Sequence, residues 1–173
     1  VIGSGVTVLA DPGPGPDTIR GNIFNINANS FVRMNGLLDV NDPGKLRVVA
    51  GNGRFTNNGV VHVRSNSSLQ LESNFAEGTG TWIVDSGARL YLGNNTTGAV
   101  AYRFAELGTF QTVGGQLEVG GKIDNVNATI TTTAANPQFT LSATVTGGTI
   151  GAADAGQQIQ ASGSTFNGIR VVG

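Results

Sequence analysis

A chain of 173 residues with 27 glycines, 12% charged residues and no cysteine can bury a substantial core in one domain, without disulfides, thiolate metal sites or a cysteine nucleophile. Its formal net charge of −1 and pI near 5.7 leave no basic footprint for nucleic acid or an anionic membrane. Asn, Thr, Ser, Gly and Val dominate, and lysine occurs only at Lys45 and Lys122, a mixture that favours short strands and tight turns over helices.

Val1 to Leu9 alternates as a strand does, and Asp11-Pro12-Gly13-Pro14-Gly15-Pro16-Asp17 ends it, because three spaced prolines cannot donate to a sheet ladder. The expected organisation is an N-terminal strand with a Pro/Gly-rich hinge over residues 1–18, able to act semi-independently, and one β domain over 19–173. Short strands are predicted next at Ile23 to Ile26, Phe31 to Met34, Leu37 to Val40, Leu46 to Val49 and Val60 to Val63. No window sustains helical periodicity over three turns.

From Gly36 onward a unit recurs. Asn35-Gly36-Leu37-Leu38-Asp39-Val40 is followed by Leu46-Arg47-Val48, and Asn58-Gly59-Val60-Val61-His62-Val63 by Leu69-Gln70-Leu71. A third copy is Gly80-Thr81-Trp82-Ile83-Val84 with Leu90-Tyr91-Leu92, and a looser fourth runs from Gly108 through Phe110 and Thr112 to Leu117 and Val119. In the first three copies the second apolar pair starts ten residues after the glycine, and the four glycines lie 23, 21 and 28 residues apart. A period of this size marks a structural unit stacked on the next.

Stacking those units predicts interior columns Leu38-Val61-Trp82, Val40-Val63-Val84, Leu46-Leu69-Leu90 and Val48-Leu71-Leu92, with Asp39, His62 and Ile83, and Arg47, Gln70 and Tyr91, facing out. Arg54-Phe55 and Arg103-Phe104 align just ahead of Gly59 and Gly108, while Phe31 and Phe75 lie five residues ahead of theirs. Each coil therefore offers an aromatic and two apolar pairs, read as three short walls. The expected fold is all-β: a right-handed parallel β-helix, a β-solenoid, of about seven to eight coils at about 22 residues each, with a β-sandwich as the alternative. At about 4.8 Å per coil the rod would be roughly 35–40 Å long. Beyond Gly121 strand chemistry persists while the spacing loosens.

The Asn-Gly turns, the Val-x-Val and Leu-x-Leu walls and the Gly-Gly-x-Leu or Gly-Gly-x-Ile segments resemble the β-solenoid passengers of bacterial autotransporters and filamentous-haemagglutinin-like surface proteins over residues 19–173. The resemblance implies a right-handed parallel β-helix and export to the cell surface, and carries no catalytic residue with it. A chain that opens on Val1 and still alternates at Gly168 to Gly173 is expected to be a mature or excised piece of a longer parent.

Candidate chemistry is sparse. The closest carboxylates are Asp39 and Asp42, and Asp42-Pro43-Gly44 reads as a turn in which aspartate accepts local N–H groups. His62 is the single histidine, so neither a multi-histidine metal site nor a serine triad is available; stacking on Asp39 of the preceding coil would pair the two. Asp85-Ser86-Gly87 reads as a turn between walls, and no phosphate-binding loop occurs. Thr129, Thr131 and Thr133, with Thr144 and Thr146, are too few ranks for an ice-binding face. Tyr91 and Tyr102 are read as scattered surface aromatics, and Asn35, Asn58 and Asn94 as a turn ladder.

No catalytic, cofactor-binding or metal-binding residue and no cofactor is therefore assigned, and no enzymatic activity is expected. The function expected is that of a structural or adhesive rod, bacterial and exported to the cell surface or the extracellular space, self-associating into a filament, sheath or stalk. Surface glycans are a further candidate partner, and neither nucleic acid nor membrane insertion is expected. The alternatives are a polysaccharide lyase or glycoside hydrolase on a β-helix, and a glycan-binding adhesin.

Overall fold

The computed structural model describes residues 7–10, 23–25, 31–41, 45–93, 99–112 and 114–172. The chain runs β1 (Thr7–Ala10), β2 (Ile23–Asn25), β3 (Phe31–Met34), then β4 (Leu37–Val40) and β5 (Lys45–Asn57), β6 (Val60–Val63) and β7 (Ser68–Phe75). It continues with β8 (Thr81–Val84) and β9 (Arg89–Gly93), β10 (Thr109–Gln111) and β11 (Gln116–Asp124), β12 (Thr129–Thr131) and β13 (Gln138–Thr146). The last strands are β14 (Thr149–Gly151), β15 (Gln158–Ala161), β16 (Thr165–Asn167) and β17 (Arg170–Val172).

Every pairing between these strands is parallel, and partners lie one repeat apart, which is the topology of a β-solenoid and rules out the antiparallel sandwich. One stack runs β1-β4-β6-β8-β10 and a second β2-β5-β7-β9-β11-β13-β15, while β12-β14-β17 form a separate three-stranded sheet. The three faces expected per coil are present, but the second and third share one sheet, because β5, β7, β11 and β13 run through the corner between them. The solenoid makes about six turns, fewer than the seven to eight that an even 22-residue division gives. The reason lies in unequal coils: β1 and β4 meet at Thr7↔Leu37, and β8 and β10 at Thr81↔Thr109, steps of 30 and 28 residues.

The predicted columns form. Leu38, Val61 and Trp82 are in register and buried, and Phe110 extends them; Leu46, Leu69 and Leu90 continue into Leu117. Val48, Leu71 and Leu92 continue through Val119 to Leu141, so one apolar line crosses five coils. The Val40-Val63-Val84 column is likewise buried. Trp82 sits between Phe55 and Phe110, with ring centroids 6.1 and 6.0 Å away, and its indole N–H donates to the Leu107 carbonyl at 2.6 Å. An indole is tolerated in such a core because its single donor is met.

The Arg-Phe alignment holds in sequence but not in conformation. Phe55 lies in β5, whereas Phe104 opens a short 3-10 turn, Phe104–Glu106; its ring still reaches the interior, stacked 5.3 Å from Phe110 and 5.4 Å from Phe139.

The corners are built alike. Ser67 N–H bonds Arg64 O, Ala88 N–H bonds Asp85 O, and Gly115 N–H bonds Thr112 O, each closing a four-residue turn whose third residue is left-handed: Asn66, Gly87 and Gly114. Asp85-Ser86-Gly87 is thus the inter-wall turn its sequence predicts.

Candidate functional site

The outward residues form a ladder of charge pairs, each one coil long. Asp39 is in register with His62 but bonds Arg64, through Nε at 2.8 Å and Nη2 at 3.0 Å; His62 instead meets Asp85 at 2.8 Å. Arg47 binds Glu72 and Arg89 binds Glu118, both at 2.6 Å. The bonded Arg64 guanidinium holds the Asp39 carboxyl below the ordinary aspartate value, against the opposing pull of burial and with a smaller contribution from His62. A carboxylate clamped in this way is a poor general acid. Asp42, the other carboxylate of the candidate pair, lies outside the described residues.

The other singled-out residues divide. Tyr102 is not a surface aromatic: it is buried, its hydroxyl donates to Gly120 O at 2.7 Å, and its ring packs edge-on against Phe75 at 5.1 Å. Burial pushes its phenol upward, so it does not titrate in the working range of a protein. Tyr91 is half-buried, with its ring over Gly93 and Gly120, where no side chain competes for the space. Thr129 and Thr131 lie in β12 and Thr144 and Thr146 in β13, on different faces, so they do not form one rank. Asn58 Nδ2 donates to Asn35 Oδ1 at 3.3 Å, the ladder step the turns predict; Asn94 lies outside the described residues. No group of three or more His, Cys, Asp or Glu among the described residues is arranged to hold a metal ion.

Sequence reading missed an open cleft of about 520 Å³ between β3, β5 and the 99–107 segment. Register builds its floor. Phe31 pairs with Arg54, and Arg33 with Thr56, on strands whose outward residues stand five and three positions ahead of Gly36 and Gly59. Further on, the isolated bridge between Tyr102 and Ile123 sets Arg103 beside Asp124. Phe31 is 46% exposed, and the Arg33 guanidinium lies over its ring, 5.2 Å from the centroid. Arg33 and Arg54 are exposed and make no ion pair with another described residue, whereas Arg103 is shared between Glu106 at 3.5 Å and Asp124 at 3.7 Å. Thr56 is 4% exposed, and its hydroxyl is the one buried side-chain polar atom among the described residues that has no hydrogen-bond partner. The signal for this site was present as the matched spacings of Phe31 and Arg54, and of Arg33 and Thr56, before their glycines.

Comparison with protein-family models, curated proteins and solved structures finds no match for this chain.

Proposed function

We propose that this protein is a structural, non-enzymatic β-solenoid of the exported cell-surface kind that associates end to end with further copies of itself. The observation that carries the reading is the state of its last coil. Phe166 and Val171 are in register with the buried Val145 and Ile150, yet they are 41% and 75% exposed, and Ile159 is only half-buried above Phe139. On this last described coil the interior columns are left uncovered by any other described residue, an apolar surface fringed by the edges of β15, β16 and β17 that no described strand pairs. A parallel edge of this kind is a template for another parallel strand.

The first described coil offers the matching register. Continuing the ladder from β2 to β15 by one step sets Ile23-Phe24-Asn25 of a second copy on Gln160 onward, in the register that this ladder keeps from coil to coil. Such a contact joins two different surfaces and does not close on itself, so it propagates as a filament. Export rests on the resemblance of the wall and turn motifs to autotransporter passengers, and the absence of activity on the engagement of Asp39 by Arg64.

Sedimentation velocity over a broad concentration range, with electron microscopy of the same samples, tests the assembly. Concentration-dependent linear oligomers are expected, with Phe166→Asp and Val171→Asp yielding monomers that stay folded. A wild-type species that is monomeric at every concentration refutes it. Loss of glycan cleavage on substituting Asp39 or Asp42, with the fold intact, would establish the enzyme instead.

A further inference from the structure

The cleft over β3 and β5 has a chemistry of its own, separate from the ends of the rod. Two guanidinium groups that make no ion pair with another described residue stand on one face of adjacent strands. Being offset by one coil and two residues, Arg33 and Arg54 have Cα atoms roughly 8 Å apart, given about 4.8 Å between strands and about 3.3 Å rise per residue. At that separation both long side chains can converge on a single carboxylate. Beside them are an exposed aromatic face at Phe31 and the unpartnered Thr56 hydroxyl in the cleft floor. The volume, about 520 Å³, is that of a small-ligand site.

We propose that this cleft binds an acidic saccharide, a uronate-bearing glycan chain whose carboxylate sits between Arg33 and Arg54 while its ring lies against Phe31. The remaining charges choose between anions. Glu77, Glu106 and Asp124 also border the cleft, and the whole chain is at −1, so a densely charged polyanion such as a nucleic acid is repelled. A chain bearing one carboxylate among many hydroxyls is not. Drawing the Arg33 guanidinium off the Phe31 ring toward that carboxylate frees the ring face, and Thr56, in register with Arg33, lines the same cleft. A sugar hydroxyl that reaches Thr56 satisfies a buried group that has no hydrogen-bond partner among the described residues.

Titration calorimetry of the intact chain with xylan oligosaccharides that carry a single glucuronate branch, and with their methyl esters, decides the matter. Binding of the acid form, weakened by salt, and none of the ester is expected. Arg54→Ala should weaken it about tenfold or more, the factor that loss of a charge-assisted hydrogen bond carries, and Arg33→Ala likewise; Arg170→Ala, on the exposed last strand, should leave it unchanged. Thr56→Val should weaken binding while leaving the melting temperature unchanged or higher, a split that a purely structural role does not produce. Equal binding of acid and ester, full affinity in the Arg33→Ala, Arg54→Ala double variant, or no binding by the intact protein overturns the proposal. Should an arginine variant fail to fold, the acid and ester arms on the wild type still decide.

Discussion

At the scale of single residues, the repeat glycine is a steric necessity. A Cβ placed on Gly59 would lie 2.1 Å from the Gly36 carbonyl oxygen, and one on Gly80 would lie 2.5 Å from that of Gly59. The strand starts are therefore stacked backbone on backbone, with no room for a side chain between coils. Gly148 shows the same approach, 1.9 Å from Asn125 O, and adds a left-handed φ of 76°. Backbone, unlike the tip of a flexible side chain, cannot move aside without breaking the ladder. Gly59→Ala is accordingly expected to destabilise the fold by about 1–3 kcal/mol, the range for forced overpacking, as measured by urea denaturation; an unchanged midpoint would show that the coils can separate there. Asn57 completes the joint: its Oδ1 accepts from Gly59 N–H at 3.1 Å and its Nδ2 donates to Thr81 O at 3.2 Å. Asn125 does the same further along, donating to Gly147 O at 3.2 Å and Thr149 O at 3.0 Å.

At the scale of elements, each strand is tied to the next by hydrogen bonds, an apolar column on one side and a charge or amide pair on the other. The two sides differ in weight. Burying leucines in unbroken columns supplies most of the stabilisation, whereas exposed ion pairs contribute about 0–1 kcal/mol each. Between β4 and β6 the Arg64 and Asp39 pair is nevertheless readable through pH. Because the Asp39 carboxyl titrates lower in the folded chain than in the unfolded one, its contribution is complete above the ordinary aspartate range and is lost as pH falls through the folded value. Thermal melts from neutral pH downward should therefore show the wild type losing stability faster than Asp39→Asn below about pH 4. Parallel curves would mean that the pair is not formed in solution.

At the scale of the whole molecule, a solenoid is a one-dimensional stack, and each coil is as stable as its neighbours allow. Interior coils have two; the 152–172 coil has one among the described residues, and its strands expose nearly every side chain. Hydrogen exchange should run fastest in β15, β16 and β17 and slowest in β7, β9 and β11, where Leu71, Leu92 and Val119 are fully buried. The gradient also reports on assembly: at concentrations where the chain associates, the amides of the last coil should become protected, while those of the central coils do not change. A last coil as protected as the centre at high dilution would contradict the one-dimensional picture.

Much of this architecture was legible in the primary structure, because a solenoid writes its tertiary contacts as a period. Leu46, Leu69 and Leu90 touch because they share an offset from their glycines, and the alternation of Leu37 to Val40 alone assigns Leu38 and Val40 inward and Asp39 outward. Where the period loosens, inference from spacing fails. The 28-residue step before Gly108 holds a 3-10 turn, Phe104–Glu106, that its spacing does not announce, and in it Tyr102, expected on the surface, is drawn into the core, while such longer steps lower the coil count to about six. Which charged residues meet was likewise beyond the sequence: Asp39 and His62 are in register, but the longer Arg64 side chain reaches the carboxylate and leaves the imidazole to Asp85. The sequence by itself determined stacking and facing, since backbone hydrogen bonding makes both periodic. Only the tertiary structure decided partners and cavities, since these depend on side-chain reach and on loops that obey no period.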